Sequence, residues 1–263
     1  MAKIITLLTD FGLRDGYVAS LKGVILSIYP ETRLIDISHL VRLQDVRSGA
    51  FLLATVYTDF PPGTIHLAIV DPGVGTERQG IVLRTPRYFL VGPDNGLFSW
   101  VCRKEPQWEA RSLENSQYWR SPVCPTFHGR DIFAPVAAHL AAGVAMEEFG
   151  PPWEPHIAGW TAMVRSERAL RGEVIHVDHF GNVITNLDER TVRDFAPPEE
   201  LVIELEGTRL NGLRTTYGDE PRGVLMALIG SHGYLEIAAN RQHAGRLLGI
   251  QTGVAVRMSH PKR

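Results

Sequence analysis

The feature that most narrows the fold of this chain is a change of rhythm near Trp160. Before it, short apolar runs closed by Gly, Pro, Asp or Asn alternate with segments of helical period. After it, short apolar runs follow one another with turn residues between them and few helix signals. The first pattern belongs to strands joined by crossover helices, and predicts an α/β domain on a central, mainly parallel sheet. The second predicts an all-β unit, a small barrel or sandwich. Gly150 to Gly159, with Pro151, Pro152 and Pro155, reads as the link between them. The expected division is an N-terminal α/β domain over residues 1–160 and a smaller C-terminal β-barrel domain over 161–263.

Within the first part, Ile4–Leu8 reads as a buried strand that delivers Asp10 to a loop. Tyr17–Tyr29 carries Val18, Leu21, Ile25 and Ile28 on one helical face, and Pro30 ends it. Strands are expected at Arg33–Ile37, Thr64–Val70, Gly80–Arg84 and Tyr88–Val91, and helices at Val46–Phe60 and Asp131–Ala142. In the second part the expected strands are Arg171–Val177, Val183–Asn186, Leu201–Leu205, Gly223–Ile229, Tyr234–Ala238 and Val254–Met258.

Composition limits function. With 27 basic and 29 acidic residues the net charge is -2, which argues against a nucleic-acid binder. No apolar run approaches the roughly 18 residues of a membrane span, so no membrane association is expected. The apolar run after Met-Ala-Lys is too short for a signal-peptide core, which points to the cytoplasm. The two cysteines, Cys102 and Cys124, have neither CxxC nor zinc spacing and read as reduced, structural thiols.

Four polar clusters occupy turn-like segments beside apolar strands. Thr9-Asp10-Phe11-Gly12 sets a carboxylate at a strand end, where it can accept two hydrogen bonds from a ribose diol. The same residues also suit an Asx-turn or a helix N-cap. Asp71-Pro72-Gly73-Val74-Gly75 can face a pocket, with Arg78 folding back onto the acid; an ordinary surface ion pair fits the spacing equally well. Phe127-His128-Gly129-Arg130-Asp131 places a histidine at a helix start, as an acid, a base, a ligand or an oriented donor. Alternatively it is a capping segment in which Asp131 serves the helix N-terminus. Asp178-His179-Phe180-Gly181-Asn182 and Ser231-His232-Gly233-Tyr234 lie between strands of the second part. Asn182 could read a purine edge with Phe180 or Tyr217 stacked on it, or both segments could be plain hairpin turns. No His-Glu-x-x-His or His-x-His motif is present, so no metal is expected.

Taken together and in this order, these segments resemble the S-adenosylmethionine hydrolase (hydroxide adenosyltransferase) family, which is related to the bacterial fluorinase and chlorinase enzymes. Pro93-Asp94-Asn95-Gly96-Leu97, and the continuations Ile132-Phe133-Ala134-Pro135 and Leu235, extend the likeness over nearly the whole chain. The resemblance implies hydrolysis of S-adenosyl-L-methionine to adenosine and L-methionine. It also implies a homotrimer, with the substrate between the N-terminal domain of one subunit and the C-terminal domain of its neighbour. The substrate is the only small molecule implied, and no cofactor. Carried over residue by residue, Asp71, Arg78 and His128 would hold the attacking water, and Asp10 the ribose hydroxyls. Asn182 would read the adenine, with Tyr217 stacked on it. Asp178 and Ser231 would hold the amino-acid end, and Asn95 and Phe127 complete the substrate-binding set.

The departures carry information as well. The fluorinase has Tyr and Thr where this chain has Asp71 and Val74, and Ser where it has Gly129. It has Arg where His232 stands, and the halogenases have a Trp near the position of Gln44. A carboxylate at residue 71 would repel a halide, so the resemblance favours water as nucleophile. A halogenase, a non-catalytic sensor of S-adenosylmethionine or adenosine, and a metal-dependent phosphohydrolase are the alternatives.

Overall fold

The computed structural model describes residues 3–105 and 107–260. It divides into two compact units, with the boundary between Ala158 and Gly159.

The first unit holds strands β1 (Ile4–Thr9), β2 (Arg33–Ser38), β3 (Ile65–Ile69), β4 (Gly80–Arg84), β5 (Phe89–Pro93) and β6 (Glu109–Ser112). Its helices are α1 (Tyr17–Ile28), α2 (Val46–Val56), α3 (Ser99–Lys104) and α4 (Ala134–Ala141). The strands form one sheet in the order β2-β1-β3-β5-β4-β6. The pairs β1–β2, β1–β3 and β3–β5 are parallel, and β4 runs antiparallel to β5 and β6. This is the α/β fold expected, with a mainly parallel centre and an antiparallel edge. The chain steps from β1 to β2 on one side, then crosses back to β3 on the other. That reversal opens a crevice outside the carboxyl ends of β1 and β3, where open α/β sheets bind ligands.

Strands β1 and β3 are buried on both faces. Ile5, Leu7, Leu8, Ile65, Leu67 and Ala68 are all at most 1% exposed, as parallel strands covered by helices must be. Helix α1 presents Val18, Leu21 and Ile25 to the core, and α4 adds Val136, Ala137 and Leu140 to the same cluster. Each large aliphatic side chain buried this way contributes about 1.5–3 kcal/mol.

Three local expectations need correction. The helix expected from Asp131 begins at Ala134, and Gly129–Phe133 before it is wound wider, in a π turn. There the Ala134 N–H reaches back five residues to the Gly129 carbonyl. Pro135 carries no N–H, so no helical bond returns from it to the preceding π turn, and the Asp131 carbonyl accepts instead from the Arg120 N–H at 2.8 Å. Helix α2 stops at Val56, and Tyr57–Asp59 tightens into a 3-10 turn before Pro61. Helix α3 and strand β6 were not expected, because six and four residues are too few to show a period.

The second unit is built from β7 (Val164–Arg165), β8 (Ala169–Val177), β9 (Val183–Asp188), β10 (Val202–Leu205) and β11 (Thr208–Asn211). It continues with β12 (Leu225–Ile229), β13 (Tyr234–Ala239) and β14 (Ala255–Ser259), and has two one-turn helices, α5 (Glu189–Arg193) and α6 (Ala244–Leu248). The sheet order is β11-β10-β14-β8-β9-β13-β12, with β7 added to β8. All the strand pairs are antiparallel. A bridge from Arg214 to Leu228 draws the two ends together, so the sheet is a nearly closed barrel. Leu170, Val174, Leu187, Ile203, Leu235, Ile237 and Val256 fill its interior. Among the described residues, no helix is long and apolar enough to cross a membrane.

Candidate active site

Thr9 at the end of β1 is in register with Ile69 at the end of β3. Asp10 and the turn carrying Asp71 therefore leave the sheet side by side at the crevice. The Asp71 side chain is 6% exposed, and Arg78 folds back onto it. Arg78 Nε donates to the two carboxylate oxygens at 2.9 and 3.1 Å, and Nη2 also donates to Oδ2. Gly75 makes this return possible. Its φ is +78°, and a Cβ there would stand 2.6 Å from the Pro125 carbonyl oxygen.

The same guanidinium packs over the Phe133 ring, 5.1 Å from its centre, and its Nη2 lies 3.1 Å from His128 Nδ1. A guanidinium has donors and no acceptor, so Nδ1 must be the accepting nitrogen and the ring proton sits on Nε2. Burial, and then the charge of Arg78, hold His128 below the usual histidine range. Arg78 thus joins a carboxylate to a neutral imidazole and fixes which nitrogen of that imidazole can donate. Asp131 is no helix cap. It is wholly buried and takes Arg130 Nε at 2.7 Å, Arg130 Nη2 at 2.8 Å and the Cys124 N–H at 2.8 Å.

A cavity of about 560 Å³ opens in front of these groups, lined by Asp10, Phe11, Gln44, Asp71, Phe127 and His128 among others. Ligand pockets have this size. Asp10 Oδ2 accepts the Gln44 N–H at 2.8 Å. Behind Asp10, the Phe11 N–H donates to Thr9 Oγ1 at 3.2 Å, and Thr9 Oγ1 meets His39 Nδ1 at 2.8 Å. His39 Nε2 is 3.1 Å from Asp36 Oδ1, and Lys22 Nζ donates to Asp36 Oδ2 at 2.7 Å. This polar chain pins the loop that presents Asp10. Phe127 meets Phe11 and Tyr17 edge to face, with centroids 5.9 and 5.3 Å apart, and Phe11 and Tyr17 lie tilted at 6.0 Å. Asn95 is not among the cavity's lining residues. Its amide donates to the Val70 carbonyl at 2.8 Å, which fixes the strand end just before Asp71.

The second unit has its own cavity, of about 660 Å³, lined by Asp178, Phe180, Asn182, Tyr217, Ser231, Glu236 and neighbours. The Asn182 backbone N–H donates to Asp178 Oδ1 at 2.8 Å, and Asn182 Nδ2 donates to Oδ2 at 3.0 Å. Gly181 closes this turn with φ +90°, and a Cβ there would lie 2.2 Å from the His243 ring. Tyr217 is 44% exposed, and its hydroxyl donates to Glu236 Oε1 at 2.8 Å. Glu236 escaped the sequence reading. The available signal was a single carboxylate within the otherwise apolar run of β13. Burial pushes its pKa up, the Tyr217 hydrogen bond opposes that, and the Asp178 charge adds to it.

The sequence-predicted residues therefore gather in two places. Asp10, Asp71, Phe127 and His128, with Arg78 behind them, belong to the first cavity. Asp178, Asn182, Tyr217 and Ser231 belong to the second. Among the described residues, no group of three His, Cys, Asp or Glu side chains could hold a metal ion.

An α/β sheet with an Asp–Arg–His cluster at its crevice, followed by a barrel with an acidic and aromatic cavity, defines a two-unit protein for small polar ligands. The chain belongs to the SAM hydroxide adenosyltransferase family: the N-terminal domain of that family matches residues 5–150 and the C-terminal domain residues 172–257. It is 38% identical to the (R)-S-adenosyl-L-methionine hydrolase of Thermus thermophilus, over 95% of this chain and 97% of the relative. It is 40% identical to that of Salinispora tropica, over 97% of each. A fluorinase from Nocardia brasiliensis is more distant, at 28% identity over 97% of this chain and 96% of the relative. The fold is similar to the crystal structure of an uncharacterized conserved protein from Thermotoga maritima. The TM-score is 0.87 at 35% identity, covering 97% of this chain and all of that one.

Proposed function

We propose that this chain hydrolyses S-adenosyl-L-methionine to adenosine and L-methionine by in-line attack of a held water on the ribose C5′. The observation that carries the reading is the Asp71–Arg78–His128 arrangement at the crevice of the sheet. Its support is family membership with hydrolase-named relatives at 36–40% identity.

The chemistry asks little of an acid or a metal. As the water oxygen bonds to C5′, the C5′–S bond breaks and its electron pair goes to sulfur, turning a sulfonium into a neutral thioether. The leaving group needs no proton, and the one proton released comes from the water. What is required is a nucleophile held in line at near-contact distance, and such positioning supplies about 7–11 kcal/mol of the barrier. Arg78 divides the work. With its Nδ1 taken by Arg78, His128 can offer the water only the Nε2–H, so it orients the oxygen. Asp71 is then the group that accepts the proton. Arg78 holds both in place.

In the same reading Asp10 accepts from the ribose hydroxyls beside the Phe11, Tyr17 and Phe127 rings. Asn182 reads the adenine edge with Tyr217 stacked on the base, while Asp178 and Ser231 hold the ammonium and carboxylate of the methionine end. The two cavities are then walls of one site, each supplied by a different subunit of a homotrimer. Asn95 acts through the Val70 carbonyl rather than on the substrate.

Chromatography of the purified protein incubated with S-adenosylmethionine and a chelator, with and without chloride, tests the proposal. Adenosine and methionine in equal amounts are expected under both conditions. A 5′-chloro nucleoside would replace the hydrolase reading with the halogenase one. Loss of turnover on chelation would replace it with a metal-dependent one.

A further inference from the structure

The second cavity contains a carboxylate that the proposed reaction does not use. Glu236 lies in the middle of β13, whose six residues are all buried, and is itself 4% exposed. Strands β12 and β9 flank β13 on its two sides, so its backbone is fixed. A buried carboxylate is costly unless it is hydrogen-bonded. The bond found here comes from a neutral donor, the Tyr217 hydroxyl at 2.8 Å. The other oxygen, Oε2, is packed so closely on Gly230 that a Cβ at that residue would stand 2.3 Å from it. The carboxylate is thereby held in one orientation.

Tyr217 is in the opposite situation. It opens a three-residue 3-10 turn, Tyr217–Asp219, and is 44% exposed. A ring on such a turn has several orientations, and the hydrogen bond to Glu236 selects one. We propose that Glu236 is a positioning residue: it ties the Tyr217 hydroxyl to a rigid strand and so holds the ring in the plane on which the adenine stacks. The inference rests on the reading that this cavity takes the adenine of S-adenosylmethionine. It explains why a tyrosine rather than a phenylalanine stands at residue 217, and why a carboxylate interrupts an apolar strand.

The test compares Tyr217→Phe, Glu236→Ala, Glu236→Gln and the double variant Tyr217→Phe/Glu236→Ala. The readouts are steady-state kinetics with S-adenosylmethionine, adenosine affinity by calorimetry, and melting temperature. Losing the tether is expected to raise KM and the adenosine Kd about three- to tenfold, the scale of one net hydrogen bond. That rise is expected for Tyr217→Phe and for Glu236→Ala, with kcat unchanged, because the groups assigned to the water lie in the other unit. The double variant is expected to be no weaker than either single one. Glu236→Gln keeps an accepting oxygen and should bind as the wild type does. It also keeps the test informative if Glu236→Ala fails to fold. A Gln variant as weak as the Ala variant would overturn the proposal, since the carboxylate charge and not the tether would then be at work. So would a Tyr217→Phe protein that binds normally, or additive losses in the double variant. If the wild type makes no adenosine, the substrate reading falls and the tether with it. If the wild type turns over and the variants match it, the tether alone fails.

Discussion

The two cavities hold their acids in different ways. In the α/β unit Asp71 is gripped by the Nε and Nη2 of a guanidinium, and that guanidinium also fixes the neighbouring imidazole. In the barrel unit Asp178 is bonded by the backbone and side-chain amides of Asn182, and Glu236 by a tyrosine hydroxyl. The bonds that hold the barrel acids come from neutral donors. The first arrangement completes its own charge and fixes geometry, which suits a group that must aim a small nucleophile. The second leaves negative charge for a ligand to complete, which suits recognition of a cation such as an ammonium. In the proposed reading the α/β unit carries the chemistry and the ribose contacts, and the barrel unit recognises the adenine and the methionine end.

The sharpest way to break this division is Asp71→Ala. It should lower kcat by on the order of 10²–10⁴, the range for a positioned acid or base, while adenosine affinity measured by calorimetry stays near wild type. A variant that loses affinity and keeps kcat would put residue 71 on the recognition side.

Asp178→Ala should do the reverse. It should raise KM by about 10–100-fold, the scale of a hydrogen bond to a charged group, with kcat at saturation little changed. Refolding the Asp71→Ala and Asp178→Ala proteins together, each nearly inactive at low substrate, then tests whether the walls come from different subunits. In randomly mixed trimers about a quarter of the sites would unite two intact walls, so activity should return at low substrate. If each chain carried its own complete site, the mixture would be no more active than its components.

A smaller effect lies in the pH profile. His128 is held below the ordinary histidine value of about 6.5. Such a group is neutral above its lowered pKa and gains a proton only below it. Protonation would put a second N–H against Arg78 and break the contact that orients the ring. kcat/KM should therefore hold as pH falls through about 6.5 and decline only at lower pH. His128→Asn should remove that limb from the profile. A limb centred at or above the ordinary value would mean that burial and Arg78 do not hold this ring neutral.

The smallest expected effect is on stability. Gly181→Ala should cost about 1–3 kcal/mol for backbone strain alone, read as a lower melting temperature. The substrate KM should rise with it, because the turn that aligns Asp178 and Asn182 is disturbed. Wild-type behaviour would show that the turn has slack and is no rigid wall.

Much of this division was legible in the sequence. Gly, Pro and Asp at the ends of apolar runs marked where strands deliver side chains, and Asp10, Asp71 and His128 do line one cavity. The residues that stayed hidden are those whose role depends on long-range contact. Glu236 meets Tyr217 only through barrel closure, and His39 meets Thr9 only through the crossover between β1 and β2. Asn95 was readable as a turn residue, but not as the tie to the Val70 carbonyl, because the pairing of β3 with β5 decides that contact. Short elements such as α3 and β6 carry too few residues for a period, and the π turn at Gly129–Phe133 has no sequence signature apart from Pro135 close behind it.

The most direct test of the central claim is a single turnover in heavy-oxygen water, with a chelator present and the products analysed by mass spectrometry. Attack of an Asp71-held water on C5′ predicts one heavy oxygen in the 5′-hydroxyl of adenosine and none in methionine. Unlabelled adenosine, or label found in methionine instead, would contradict the account.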